Sequence, residues 1–437
     1  MPESELERLS LLIIESMRAP YRCFHTPQHV FAVAESNDPI EVLAALFHDL
    51  IYLQVDGGLS VNFSILLAPF LSEQDGKLLI RPEVPQDSNF DLVRILFGLE
   101  PGQSLGPNQN EFLSALVAVK LLEPWLPSAV LLQIAACIEA TIPFRPRLDD
   151  GMRPCDLLYE RTLKASSYCE LGLTDVDLLK TVQRAVRLAN RDLENFAHPA
   201  AAIFLDNTWR LLPEMNDSLR DSDTYTVRQY RTALQKMEVF MRYMKPALVF
   251  QQFQAEPIPE RYTQLLARTD KNLEVARLYL GIKLVAIAIL EAIAAALGQD
   301  IPLVSLVGYR DAHQEPESSW IQRLPDAKGI EETLSPLESE ALMLLEEGRT
   351  QDADFDIRNS PLSTLLVKSY GFATVLSWLE SARSFFRGEL TSGQLLAVCD
   401  SDAVSMIKEA ISQEFENRRQ RILDLAPETL AVPRDQA

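Results

Sequence analysis

The chain is short of positive charge, histidine and cysteine, and each shortage removes a class of protein from consideration. Its 41 lysines and arginines face 62 aspartates and glutamates, a formal net charge of −21. General nucleic-acid binding needs basic patches that neutralise phosphates, so it is not expected here. A small anionic substrate remains open, because a bound cation reverses the local field. The five cysteines, Cys23, Cys137, Cys155, Cys169 and Cys399, are odd in number and widely spaced, with no Cys-x-x-Cys pair. That pattern argues against a disulfide framework or a zinc ribbon and for a reducing, cytoplasmic compartment. The N-terminal Met-Pro-Glu-Ser-Glu-Leu-Glu is acidic and lacks the basic start of a secretory signal. Also missing are a Gly-x-Ser-x-Gly elbow and a recognisable setting for a sugar-hydrolase acid pair, and Gly57-Gly58 fits neither a P-loop nor a dinucleotide fingerprint. The most apolar run, Leu278–Gly298, contains Lys283 and Glu291. Charges are costly in lipid, so a buried helix is expected there and no membrane span.

Nearly every periodic stretch has helical spacing, and no run of alternating β-branched residues stands between turn signals, so an all-α fold is expected. Thr26-Pro27 reads as an N-cap followed by proline in the first helical position. Asp38-Pro39-Ile40-Glu41 does the same and adds a glutamate three residues after the cap. These signals place His25 in a loop, His29 in the first turn of one helix, and His48-Asp49 on a second helix that ends near Asp56-Gly57-Gly58. Residues 73–110, rich in Pro, Gly, Asp and Asn, read as an irregular insertion with one short element at Leu92–Leu99. Further helices are expected at Phe112–Leu122, Ser128–Thr141, Asp177–Ala197 and Thr226–Gln254. Gln254-Ala-Glu-Pro-Ile-Pro-Glu-Arg261 is the expected hinge. Beyond it come helices around Tyr262–Leu266, Asn272–Leu297, Pro336–Glu347, Ser360–Arg387 and Ser401–Leu425, with a polar loop at Gly308–Leu334. The division expected is residues 1–255, residues 256–425 as a C-terminal helical domain, and a flexible tail at 426–437.

Three of the five histidines, His25, His29 and His48, lie within the first fifty residues. The flanks of His48-Asp49, from Ile40 to Ile51, offer no polar face to carry the pair. A buried imidazole beside a buried carboxylate is expensive unless something compensates it. A divalent metal does so, since neutral His and ionised Asp are ordinary ligands. His29, nineteen residues before His48, opens the preceding helix and can face it if the two helices pack antiparallel.

His29 followed by His48-Asp49 and a distant aspartate resembles the HD superfamily of metal-dependent phosphohydrolases, over about residues 10–255. The pattern's closing aspartate corresponds best to Asp192, in Ala189-Asn-Arg-Asp192-Leu-Glu194, which also continues the apolar stripe of its helix; Glu194 sits on the flank. The resemblance implies a helical bundle around one divalent ion (Mn, Fe, Ni, Mg or Zn) held by His29, His48, Asp49 and Asp192. Members with two metals add histidines between the HD pair and the last aspartate, and this chain has none before His198, which reads as a helix-end residue. Phe24-His25-Thr26-Pro27-Gln28-His29 is similar to the Tyr-His-Asn-x-x-His segment of cyclic-nucleotide phosphodiesterases, which makes His25 the candidate general acid; capping a neighbouring helix is the other role open to it. Arg145, Lys164 and Arg191 are candidate substrate-binding cations, each also readable as a solvated charge. Asp56 is a candidate support for the ligand shell. The activity implied is hydrolysis of a phosphomonoester or cyclic phosphodiester, a nucleotide foremost. The alternative is a non-catalytic HD scaffold that binds metal or nucleotide and signals through the C-terminal helices, which could regulate, bind a partner or form a homo-oligomer.

Overall fold

The computed structural model describes residues 1–106, 109–221, 224–296, 298, 300–303, 324–325, 329, 333–351, 353, 355–413, 416–425 and 428. Among the described residues helix accounts for 66% and strand for 4%, so the fold is all-α. In chain order the elements are α1 (Glu3–Ser16), α2 (Pro27–Val33), α3 (Pro39–Phe47), α4 (Leu53–Asp56) and α5 (Val61–Leu67). An antiparallel hairpin, β1 (Leu71–Gln74) and β2 (Lys77–Ile80), follows, with Leu71 opposite Ile80. Then come α6 (Ser88–Phe97), α7 (Gln109–Leu122), α8 (Ser128–Ala140), α9 (Pro154–Tyr168), α10 (Asp175–Asp192), α11 (Ala201–Met215), α12 (Val227–Tyr243) and α13 (Pro246–Val249). The long α14 (Pro259–Ala296) precedes α15 (Pro336–Glu346), α16 (Pro361–Ser377), α17 (Leu379–Phe386), α18 (Ser392–Val398), α19 (Ser401–Ser412) and α20 (Arg419–Leu423).

The chain divides into two compact units, Met1–His198 with Lys245–Asp270, and Pro199–Met244 with Lys271–Ala437. This differs from a division at residue 255. Residues 199–244 go with the second unit, while the segment expected to be a hinge is fastened to the first. Asn190 exchanges two hydrogen bonds with Gln251, at 2.8 and 2.9 Å, and Arg153 donates to the Gln252 carbonyl at 2.7 Å. Arg187 pairs with Glu256 at 3.0 Å. Proline density marks where a chain leaves regular structure; it carries no information on what the freed backbone then bonds to.

In the first unit α8 is the central rod. Leu131, Leu132 and every residue from Ile134 to Ala140 are buried, against α10, α7, α3, α9 and α6. The stretch 73–110 is more regular than expected: it holds most of the hairpin and the ten-residue helix α6, whose Phe90, Leu92, Val93 and Leu96 are fully buried. Gly98 ends α6 at a φ of +66°, and a side chain there would strike the Arg161 guanidinium. Alternate apolar positions are few in the short hairpin, so its strand period left no legible trace in the sequence.

The expected Thr226–Gln254 helix is α12 followed, after Met244-Lys245, by α13; Pro246 cannot continue the first. The two helices expected within 262–297 are the single α14. The region Ser360–Arg387 forms α16 and α17, with Gly371 at a φ of +76° inside α16. The polar loop 308–334 falls mostly, and the tail 426–437 almost wholly, outside the described residues. Among the described residues α14 is long and apolar enough to cross a membrane, as is the bent pair α16–α17 taken together, and 89% of the most apolar window of α14 is buried within the protein.

The second unit is built on α14, and its two interior charges are paired. Glu291 takes two bonds from Arg231, at 2.7 and 3.0 Å. Lys283 bonds Asp356 at 3.0 Å and Ser360 at 3.1 Å, while Arg349 reaches the same Asp356 at 3.2 Å and Trp209 donates its indole N–H to it at 2.7 Å. Asp356 therefore faces two buried cations, of which Arg349 also lies 3.9 Å from the buried Asp206, and removing a single member of such a set is far more costly than omitting it whole. Asp356→Asn is expected to cost this unit about 3–5 kcal/mol, measured as lost hydrogen-exchange protection along the part of α14 from Ala276 to Ile293.

Candidate metal centre

Three arginines on one face of α10 set the frame of the site. Arg184 pairs with Asp38, the N-cap of α3, at 2.6 Å; Arg187 pairs with Glu41 at 2.7 Å; Arg191 also bonds Glu41 and donates to the Val33 carbonyl at 2.9 Å. Glu41, only 2% exposed, is therefore a clamp between helices and does not close a capping box at the start of α3. Asp38 alone caps that helix, accepting from the Ile40 N–H at 3.0 Å. Arg191 is consequently committed to helix packing and is not available as a substrate cation.

The pair His48-Asp49 does not sit along a helix edge as the sequence suggested. Helix α3 ends at Phe47, His48 is its C-cap, and Asp49 lies in the turn beyond. The turn is held by Arg22, whose side chain is fully buried and donates to the Asp49 carbonyl at 2.7 Å and the Leu50 carbonyl at 3.2 Å. Asp56 grips the same guanidinium at 2.8 and 2.6 Å and accepts from the Tyr52 N–H at 3.1 Å. Asp56 thus acts on the backbone of Asp49 through Arg22. The Ser114 hydroxyl of α7 fixes the next residue, accepting from the Ile51 N–H at 3.1 Å.

Four side chains from α2, α3, the following turn and the end of α10 then converge. One ligand atom from each of His29, His48, Asp49 and Asp192 lies within 4.8 Å of every other. The His48 Nε2 is 2.8 Å from Asp49 Oδ2 and 3.4 Å from Asp192 Oδ1; the His29 Nε2 is 3.1 Å from Asp192 Oδ1 and 3.4 Å from Asp49 Oδ2. Yet both Nε2 atoms are buried without a hydrogen-bond partner. The donors point at a common centre and not along one another's lone pairs, which is the arrangement a cation accommodates. Separations near 3 Å are also what neighbouring ligands show around an ion bound at about 2.0–2.2 Å. The His48 Nδ1 lies 2.7 Å from the Ala45 carbonyl, a contact that requires Nδ1–H and leaves Nε2 its lone pair. The cluster can therefore hold a metal ion, and its N and O donors suit divalent first-row metals or Mg²⁺.

The electrostatics of the same groups are those of a tightly opposed set. Burial disfavours a charge on His29, but the adjoining Asp192 and Asp49 outweigh it and raise the ring to about 9. His48 is pushed up in the same way, against burial, by the charges of Asp49 and Asp192. Burial alone would raise the two carboxyls; the imidazoles beside them instead hold Asp49 well below its usual range and Asp192 at about 2.

His25 stands beside this set but outside it. Its ring is 4.7 Å from that of Tyr52, edge to face, and 5.8 Å from that of His29, and its charge helps hold Asp49 down. Arg145 reaches Glu139, which is 1% exposed, at 2.6 Å, and its Nε is buried with no partner. Lys164 is exposed on α9, without an ion pair among the described residues, and is not brought into the cluster. Glu194 is exposed and pairs with Arg261 at 2.6 Å, and His198 caps a short 3-10 turn at 194–197. Sequence reasoning missed Arg22 and Tyr52. Arg22 lies between the end of α1 at Ser16 and the start of α2 at Pro27, three residues before His25, and nothing in the sequence sets it or Tyr52 apart.

Comparison with protein-family models, with curated proteins and with solved structures finds no match.

Asp192→Asn is expected to weaken metal binding about 10–100-fold, the scale of disturbing a coordination shell, while Glu194→Gln leaves it unchanged. Isothermal titration of Mn²⁺ or Ni²⁺ into the metal-free protein tests this, and equal behaviour of the two variants refutes the ligand set.

Proposed function

We propose that this chain is a metal-dependent phosphohydrolase of the HD type, acting on a phosphomonoester or a cyclic phosphodiester, with a nucleotide as the first substrate class to test. One observation carries the reading: two buried imidazole nitrogens without hydrogen-bond partners converge with two carboxylates. His29, His48, Asp49 and Asp192 would hold one divalent ion per chain, and that ion supplies Lewis acidity toward a phosphoryl oxygen and a lowered pKa for water. His48 is oriented for this by Ala45, and Asp49 by Arg22. His25, adjacent and not a ligand, is the group suited to give a proton to the leaving oxygen, since imidazole gives and takes protons near neutral pH. Arg145, fixed by Glu139 with its Nε uncommitted, is the cation suited to bear part of the substrate's negative charge.

A second reading, a non-catalytic site that binds metal or a nucleotide and signals through the second unit, draws on a specific observation. Arg145 and Arg191 are both already paired with buried carboxylates, which limits the free positive charge near the cluster. A screen of nitrophenyl phosphate esters and cyclic nucleotides, with protein loaded in turn with Mn²⁺, Mg²⁺, Fe²⁺ and Ni²⁺, separates the two; binding without hydrolysis favours the scaffold.

His25→Ala is expected to keep its metal and slow hydrolysis about 10²–10⁴-fold, the usual scale of acid–base assistance. The loss should be smaller for a nitrophenyl ester, whose leaving oxygen needs little protonation. Metal loss in this variant would instead make His25 a ligand.

A further inference from the structure

Where α1 gives way to α2, the first unit has a cavity of about 420 Å³ that none of the roles above uses. Met17, the C-cap of α1, forms part of its wall. Arg18 and Arg22 follow in the connecting segment, and Thr26, Gln28 and Phe31 contribute from the start of α2. None of His29, His48, Asp49 and Asp192 lines it, so it is separate from the space that the metal cluster surrounds.

The lining runs against the charge of the chain. The sequence carries a formal −21, yet two arginines and no carboxylate line the cavity. Arg22 is fully buried and held by Asp56 and two carbonyls. Arg18 is exposed and, among the described residues, makes no ion pair, unlike Arg184, Arg187 and Arg191 of the same unit. Thr26 occupies the N-cap of α2 without its hydroxyl bonding that helix, and Gln28 is exposed beside it. Phe31 adds an aromatic wall and leaves 52% of its surface to solvent. Small ligands use concave apolar sites of roughly 300–1,000 Å³ with a few converging polar groups, and this cavity has that size and that lining.

We propose that the cavity binds a small organic carboxylate with an apolar body, its charge paired with Arg18 and its body laid against Phe31 and Met17. A guanidinium meets a carboxylate with two parallel bonds, which selects an anion over a neutral or cationic amphiphile. Binding here bears on the turn that carries Asp49. The Met17 sulfur accepts from an Arg22 N–H at 3.0 Å, and the same guanidinium nitrogen donates to the Asp49 carbonyl at 2.7 Å. A thioether is a weak acceptor on a flexible chain, so Met17 is the loosest of the groups that hold Arg22. An apolar body in the cavity confines Met17 and thereby steadies Arg22 and the turn from Phe47 to Asp56. Neither the binding nor this steadying depends on the phosphohydrolase reading.

The test titrates full-length, metal-free protein with octanoate, octanol and octylammonium by calorimetry. Octanoate is expected to bind saturably with a Kd below about 1 mM and about 10–100-fold more tightly than octanol, the scale of hydrogen bonds to a charged group. Octylammonium should not bind. Arg18→Ala should bring octanoate down to the level of octanol, and Arg18→Lys should keep part of the difference, since an ammonium retains the charge without the fork. Phe31→Ala should weaken octanoate and octanol alike. Octanoate should also raise hydrogen-exchange protection from Phe47 to Asp56 in the wild-type protein and, at the same concentration, not in Arg18→Ala. No saturable binding, equal binding of all three amphiphiles, undiminished binding in Arg18→Ala or unchanged exchange in the turn overturns the proposal. So does a dimer that Phe31→Ala dissociates, which would place a second copy of the chain on this face. A protein that hydrolyses phosphoesters but ignores octanoate loses this proposal alone, and one that binds octanoate but hydrolyses nothing loses only the phosphohydrolase reading.

Discussion

Everything at the metal centre depends on how α10 is locked to α3. Arg184, Arg187 and Arg191 recur at helical spacing along one stripe of α10 and take hold of Asp38 and the buried Glu41. Arg191 immediately precedes Asp192, so the clamp that joins the helices also fixes the height of Asp192 opposite His48. Packing of apolar side chains leaves some freedom to slide, because ridges can shift in grooves. A carboxylate held by two guanidinium groups does not, since charge-assisted bonds are directional and their loss is severely penalised in a buried setting. The acidic surplus of the sequence is thus put to local use, with arginine concentrated where helices must keep register.

The ligand set was legible because its members announce themselves against their surroundings. His48-Asp49 stands in an apolar run, and Asp192 continues an apolar stripe, so periodicity placed both toward the interior. The all-α class was legible for the same reason. What the sequence could not show is where hydrogen bonding stops. Helix α3 ends at Phe47 because Asp49 and Leu50 give their carbonyls to Arg22, an interaction 28 residues apart in sequence at its longest. The misplaced domain boundary has the same origin, since Asn190 and Gln251 meet from positions 61 residues apart.

The two units solve the problem of interior charge in different ways. In the first, buried charges make up the candidate metal centre or, as at Glu41 with Arg187 and Arg191, lock one helix to another. In the second, Lys283, Arg349, Asp356 and Trp209 form one knot around α14, with Lys283 also lying over the rings of Trp209, Tyr230 and Tyr279 at 5.3–5.9 Å. Such knots add little net stability over well-packed apolar residues, but they penalise any alternative packing that would leave a member unpaired. That accounts for two charges, Lys283 and Glu291, within the most apolar part of a helix apolar enough to cross a bilayer.

The first unit is discontinuous in sequence, and this sets an order on its assembly during synthesis. The segment 245–258 that Asn190, Arg153 and Arg187 hold in place is translated only after the whole of 199–244, which belongs to the other unit. All four side chains of the candidate metal centre are made by residue 192, yet the helix that presents the last of them is still without the backbone partners of its Asn190. A nascent chain therefore acquires the four members of this cluster well before it acquires the brace that steadies them, and the first unit is complete only once synthesis has passed Asp270.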